Sequence, residues 1–417
     1  MNRTDFYTRY ARIVTRLGMN VQPDQEVVVR APVEALEFVP HVAAECYRLG
    51  ARYVHVFYSD QQVLRARLEH AREETLSVVP EAMIAERVRI GRGGGASLAI
   101  LGEDPMGLAG VDSVRHGAVN RAIAAASSEY RELAMKDHFP WCVISVPNPA
   151  WAARVYPDLA PDAALDALFD AVARACRLDE ADPVAAWKAH SSRLMSIAAW
   201  LTGQQFDRFV YSAPGTELTV GMPEDHVWIG TEGTSADGTT FIANLPTDEV
   251  FSAPDWRRVE GTIRSTRPLV LSGVNVGLAS FTVQGGKIIG AECEGDQATL
   301  EQELDLDDRA RYFGELALVS EDAPIAREKT TFFDGLYDEN AGCHLAFGNA
   351  YASCLSGGGE MSATEKSAAG LNTSMQHHDF TVGSDELSIV GYREDDTSFA
   401  VLEKGRWSHE LLEAVKA

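Results

Sequence analysis

"CVISV", residues Cys142–Val146, is a run of five small or apolar residues with valine and isoleucine at its centre. It is too short for a helix that must bury a face, and too uniformly apolar for a strand with one side in water. A run of this kind reads as a strand covered on both faces, the habit of parallel sheets. Val27–Val29, Tyr53–Phe57 and Leu98–Leu101 repeat the pattern, and the segments between them carry a 3.6-residue period. The alternation predicts an α/β N-terminal domain with a mostly parallel sheet. A long helix follows, with Asp182 as cap, Pro183 in its first turn and Trp187, Leu194, Ile197 and Leu201 along it to Gly203. The domain boundary is placed there, giving domains 1–203 and 204–417.

The second half has a different texture. Leu218–Val220, Ile263–Thr266, Leu269–Leu271, Phe281–Val283 and Leu387–Val390 are strand-like, with turn pairs such as Pro214-Gly215 and Gly285-Gly286 between them. This predicts a mixed α+β C-terminal domain rich in antiparallel strands.

The length, 417 residues, suits two domains with sizeable cores. Acidic residues outnumber basic ones by 61 to 37, and a net charge of -24 opposes binding to nucleic acid or anionic lipid. The opening "MNRTDFYTRYARIVTRLG" spaces Phe6, Tyr10, Ile13 and Leu17 as one helix stripe among charges, unlike a signal peptide. No stretch is long and apolar enough to span a bilayer. The six cysteines form no CxxC pair and fall inside helix or strand patterns, which points to buried free thiols and a cytoplasmic setting.

Two motifs attract attention and fail. "GRGGGA", Gly91–Ala96, has the letters of a dinucleotide loop but precedes a strand, so no helix N-terminus follows to meet a phosphate. "HELLE", His409–Glu413, begins like a zinc-protease helix but lacks the second histidine, and reads as a terminal helix.

In "SMQHHDFTVG", Ser374–Gly383, strand alternation turns His377 and Asp379 to one face and His378 to the other. One imidazole and one carboxylate at that spacing can grip a metal, or can simply bond to each other. "DENAGCHLAFGNAY", Asp338–Tyr351, reads as a helix capped by Asp338 or Asn340, with His344 and Tyr351 two turns apart on one face. Glu249 in "NLPTDEVFSAP" and Glu315 in "FGELALV" are carboxylates set among apolar residues, where surface exposure is the plain alternative to a functional role.

These blocks, with "NTSMQHHDFTVGSDELSIVG", closely resemble the aminopeptidase T / aminopeptidase S family of co-catalytic metallopeptidases. The resemblance covers most of the second half and implies a metalloaminopeptidase acting on short peptides as a homodimer. It further implies two divalent metal ions held by Glu249, Glu315, His344, His377 and Asp379, with Tyr351 as catalytic neighbour. The family usually has an aliphatic residue where this chain has His378, and the tail beyond Trp407 is longer than usual. Imidazole and carboxylate ligands without thiolate suit zinc, cobalt or manganese. On this reading Glu315 is the bridging carboxylate or general base, and Tyr351 donates to the oxyanion. Two other readings stay open: a non-haem iron ring-cleaving dioxygenase using His344, His377 and Asp379, and a metal-stabilised binding protein without activity.

Overall fold

The four apolar runs are parallel strands of one sheet, but only three are covered on both faces. In the computed structural model, which describes residues 1–104, 106–272 and 274–416, the four span Glu26–Pro32, Tyr53–Ser59, Ala96–Leu101 and Trp141–Ser145. Tyr53–Ser59 lies at the sheet edge and leaves Tyr53, Val56 and Tyr58 exposed. It is followed by Glu26–Pro32, Ala96–Leu101 and Trp141–Ser145. A fifth parallel strand, Asn244–Leu245, arrives from the second half of the chain and pairs with Val143 and Ile144. Val27, Val29, Leu98 and Ile144 are fully buried in the sheet. The N-terminal stripe folds as the helix Arg3–Ile13, which buries Phe6, Tyr10 and Ile13. The glycines of Gly91–Ala96 close the helix Ala82–Arg92 and lead into a strand, as their context requires.

The chain divides into two compact units. The first contains Met1–Ala189, Glu232–Pro246 and Phe332–Leu336; the second contains His190–Thr231, Thr247–Thr331 and Tyr337–Ala417. The expected helix runs Pro183–Gln204, and Asp182 Oδ1 accepts from the Val184 and Ala185 amides at 3.1 and 3.3 Å. The division between units falls inside this helix, at Ala189/His190, rather than at its end near Gly203. Helical periodicity marks where a helix begins and stops. It does not say to which body each turn belongs.

Two antiparallel sheets organise the second unit. The larger has eight strands, from Lys287–Cys293 at one edge to Arg406–Trp407 at the other. The smaller has four, in the order Glu249–Ser252, Phe313–Val319, His344–Gly348, His377–Thr381. Strand alternation gives the small sheet two unlike faces. Val250, Leu316, Leu318, Leu345, Phe347 and Phe380 join a core with Phe209, Val220, Ile263 and Phe281 of the large sheet. The Phe281 and Phe380 rings lie 4.9 Å apart across it. Glu249, Glu315, His344, His377 and Asp379 occupy alternate positions, on the opposite face. The tail beyond Trp407 forms the helix His409–Ala414, capped by Ser408, and sends Leu411 into this same core.

The helix expected over Asp338–Tyr351 is not formed. Gly335–Asp338 is a single helical turn, Glu339–Ala341 is a 3-10 turn, and His344–Gly348 is a strand. Within "HLAFG" a period of two prevails, sending Leu345 and Phe347 to the core and His344, Ala346 and Gly348 to the other face. Gly348 ends the strand at φ +112°, where a Cβ would stand 2.3 Å from the Gln376 carbonyl oxygen. The Asn340 side-chain oxygen accepts the Asp248 amide at 2.6 Å.

Leu345 anchors the His344 strand through a side chain with no solvent exposure. Leu345→Ala should therefore lower unfolding free energy by about 2–5 kcal/mol, measured by denaturant titration.

Candidate metal centre

Cross-strand register assembles the polar face of the small sheet. Glu315 lies opposite Ala346, and Ala346 lies opposite Asp379, so one row across three strands reads carboxylate, methyl, carboxylate. The small central side chain leaves open the space between the two acids. Ala317 plays the same part between Phe251 and His344 in the next row. The Phe313–Val319 strand changes register between Phe313 and Glu315. Gly314 permits this, since a Cβ there would stand 2.3 Å from the Asn349 carbonyl oxygen.

The side chains converge as two sets that share one residue. His344 Nε2 lies 3.3 Å from Glu249 Oε2 and 3.6 Å from Glu315 Oε1. His377 Nε2 lies 3.3 Å from Glu315 Oε2 and 3.2 Å from Asp379 Oδ1. One donor atom from each of Glu249, Glu315 and His344 falls within 4.8 Å of the others, and the same holds for Glu315, His377 and Asp379. Glu315 therefore offers one oxygen to each set. Both imidazoles are turned by their other nitrogen: His344 Nδ1 is 3.2 Å from the Gly342 carbonyl and His377 Nδ1 is 2.7 Å from the Asn349 carbonyl. A carbonyl can only accept, so Nδ1 carries the hydrogen and Nε2 is presented as the ligand atom.

The donor set fits divalent cations. Glu249, Glu315 and His344 are all buried, at 8%, 5% and 1% exposure. Glu249 Oε2 and Asp379 Oδ1 are buried oxygens that face the His344 and His377 imidazoles at 3.3 and 3.2 Å, with no well-aligned hydrogen bond among the described residues. Buried carboxylate oxygens in that condition are costly unless a cation meets them. Two imidazoles and three carboxylates, with no thiolate, are ligands for zinc, cobalt or manganese.

The protonation states show the same demand for positive charge. Burial disfavours a charged His344, but Glu315, Glu249 and Asp379 outweigh it and raise the imidazole to about 10. His377 likewise rises against burial to about 11, held by Asp379 and Glu315. Burial would raise Asp379, yet His377 and His344 hold it below the usual carboxylate value. Burial, reinforced by Glu315 and Asp379 and opposed by His344, pushes Glu249 up to about 7.

Two further groups belong to this neighbourhood. Tyr351 sits in the loop after the His344 strand, and its ring lies 5.2 Å from that of His377 and 5.9 Å from that of Phe251. It approaches the centre beside His377 rather than two helical turns from His344. Burial, then Glu315 and Asp379, raise its hydroxyl pKa and keep it protonated. Glu339 was not among the residues singled out from sequence. Burial, with Asp379 and Glu249 nearby, raises it well above the usual carboxylate range, though it belongs to neither ligand set. Its place five residues before His344 was the only signal, and the acids around it look like ordinary helix caps.

His378 faces away, with Nε2 3.2 Å from Glu303 Oε2 and its ring 5.4 Å from that of Phe347. A third acidic group with a histidine, Glu26, His55 and Glu86, is met by the guanidinium of Arg89. Arg89 donates to both oxygens of Glu26, at 3.0 and 2.6 Å.

Comparison with known proteins gives one answer. The family model described as thermophilic metalloprotease (M29) matches residues 4–407. Aminopeptidase 2 of Geobacillus stearothermophilus is 37% identical over 403 residues, covering 97% of this chain and 98% of the relative. Aminopeptidase T of Thermus thermophilus is 38% identical over 399 residues, covering 96% and 97%. The solved structure of wild-type AmpT from Thermus thermophilus superposes with a TM-score of 0.91 at 36% identity, covering 97% of this chain and 100% of that one. The ring-cleaving dioxygenase reading finds no support among these relatives, which are aminopeptidases by name.

The raised imidazoles fix the sign of a pH effect. Below about pH 10 both histidines are protonated in the metal-free protein, and ligation requires them neutral. Metal loading at pH 8 should release about two protons per chain, and affinity should rise with pH. Calorimetry in buffers of different ionisation enthalpy measures this directly. In the same titration His377→Ala should lose metal from its set, whereas His378→Ala should retain it.

Proposed function

The chain belongs to the M29 metalloprotease family and is a metalloaminopeptidase, and from that premise we propose that it removes N-terminal residues from short peptides with two divalent ions per chain. The observation that carries this reading is Glu315, whose two oxygens face two different histidines, each with its own second carboxylate. Glu249, Glu315 and His344 would hold one ion, and Glu315, His377 and Asp379 the other. Zinc, cobalt or manganese at such sites supplies Lewis acidity and lowers the pKa of water.

The remaining work falls to the chain itself. Glu315, whose two oxygens face the two histidines separately, would be the residue shared by both ions. Glu339, outside both ligand sets and raised by burial and its acidic neighbours, is suited to carry the proton from the attacking water to the departing amine. Tyr351, kept protonated, donates to the oxygen of the scissile carbonyl as negative charge develops there. Surplus carboxylate around the centre favours a free α-ammonium group on the substrate, which supports cleavage at the N-terminus rather than within a chain.

No helix among the described residues is long and apolar enough to cross a membrane, and no disulfide joins two of the six cysteines among the described residues. Cysteines kept as thiols are in keeping with action in a reducing cytoplasm. A homodimer is proposed with it. The edge strand Tyr53–Ser59 leaves Tyr53, Val56 and Tyr58 exposed, an apolar edge that pairing would cover. Light scattering on the purified protein tests that assembly.

Metal analysis should return two ions per chain, with chelation abolishing release of leucine from a leucyl peptide. A fully active protein with one ion would defeat the two-ion reading. Tyr351→Phe should keep both ions and lower kcat by about a hundredfold or more, with KM little changed. Normal turnover in that variant would make Tyr351 a packing residue only.

A further inference from the structure

Beside the acidic centre lies an apolar surface that the chemistry above does not use. Residue alternation in the Glu249–Ser252 strand turns Phe251 to the same face as Glu249. Phe251 lies opposite Ala317, and Ala317 lies opposite His344, so the phenyl ring flanks the His344 set along one row of the sheet. The ring is only partly buried. It rests on a separate small core containing Cys354 and Leu355, with partly buried Ile229 and Met361 packed on the same cluster. Ile229 fixes its backbone by a reciprocal pair of hydrogen bonds, 2.8 and 3.0 Å, and Tyr351 meets the ring edge-on.

Polar groups fill the centre, yet this flank presents a phenyl ring with an isoleucine paired beside it. A partly exposed phenyl ring next to buried carboxylates costs solvation on its open side unless apolar matter covers it. A substrate whose amine and carbonyl are held at the centre must also place its first side chain nearby.

We propose that Phe251, supported by Ile229, forms the subsite for the N-terminal side chain of the peptide and selects bulky apolar residues there. The assignment rests on the aminopeptidase reading above. Phe251 is a specificity-determining residue: it touches the substrate's side chain and takes no part in proton transfer or metal binding. Ala317, having only a methyl group, leaves room between the ring and His344 for a branched side chain to enter.

The test compares kcat/KM for leucyl and alanyl peptides on the metal-loaded protein. In the unaltered enzyme the leucyl substrate should be preferred by about tenfold or more, as expected where a branched aliphatic group is buried in an apolar pocket. Phe251→Ala should reduce that preference at least fivefold, mainly through KM, with both ions retained by metal analysis. Phe251→Leu, which keeps apolar bulk and guards against loss of fold in the alanine variant, should restore most of it. An unchanged leucyl-to-alanyl ratio in active, metal-loaded variants would overturn the assignment of Phe251 while leaving the aminopeptidase reading intact. An unaltered enzyme that releases neither residue would overturn that reading, and the subsite with it.

Discussion

Glu249, Glu315, Asp379 and Glu339 crowd around His344 and His377, with Glu249, Glu315 and His344 buried and the other three partly buried. Four carboxyl groups in so small a space cannot all be ionised beside only two imidazoles. In the metal-free protein the conflict is met by protons: both histidines are held in their charged form, and Glu249 and Glu339 are pushed towards neutrality. Cations of higher charge answer the same need without leaving acids protonated. The electrostatic conflict and the capacity to bind metal are one property of the site.

Such a cluster needs a rigid support, because each ligand pays for its burial only if the others stay close. The small antiparallel sheet supplies it. Its far face is anchored by Leu316, Leu318, Leu345, Phe347 and Phe380 in a core shared with the eight-stranded sheet. The same backbone that buries these apolar residues sets the spacing of the acids on the near face. His378 joins the support on the far side, where it pairs with Glu303, while the Gln376 side chain donates to the Glu303 carbonyl at 2.7 Å. The helix Gln297–Leu304 thus grips the strand on both sides of His377.

Small residues matter as much as the acids and imidazoles. Ala346 stands between Glu315 and Asp379, Ala317 stands between Phe251 and His344, and Gly314 lets the Glu315 strand change register. A branched residue at either alanine would fill the space between the polar side chains on this face. None of the three is notable in the sequence, since alanine and glycine in buried strands are usually a matter of packing.

The sequence alone determined the two-part character of the chain, because burial on both faces and burial on one face leave different patterns: "CVISV" against the alternating runs of the second half. It also determined the relation of His377, His378 and Asp379, since alternation along one strand depends on nothing beyond that strand. The segment around His344 has the seven-residue interval of a helical face but folds as a strand, because five residues of alternation, a weak signal in sequence, are enforced by the core under Leu345 and Phe347. What only the tertiary structure decided was the meeting of Glu249, Glu315 and His344 with His377 and Asp379, and the presence of Glu339 and Phe251 beside them. These contacts arise from the register of four strands drawn from distant parts of the chain. No local preference encodes that register; it is fixed by the core into which their opposite faces pack.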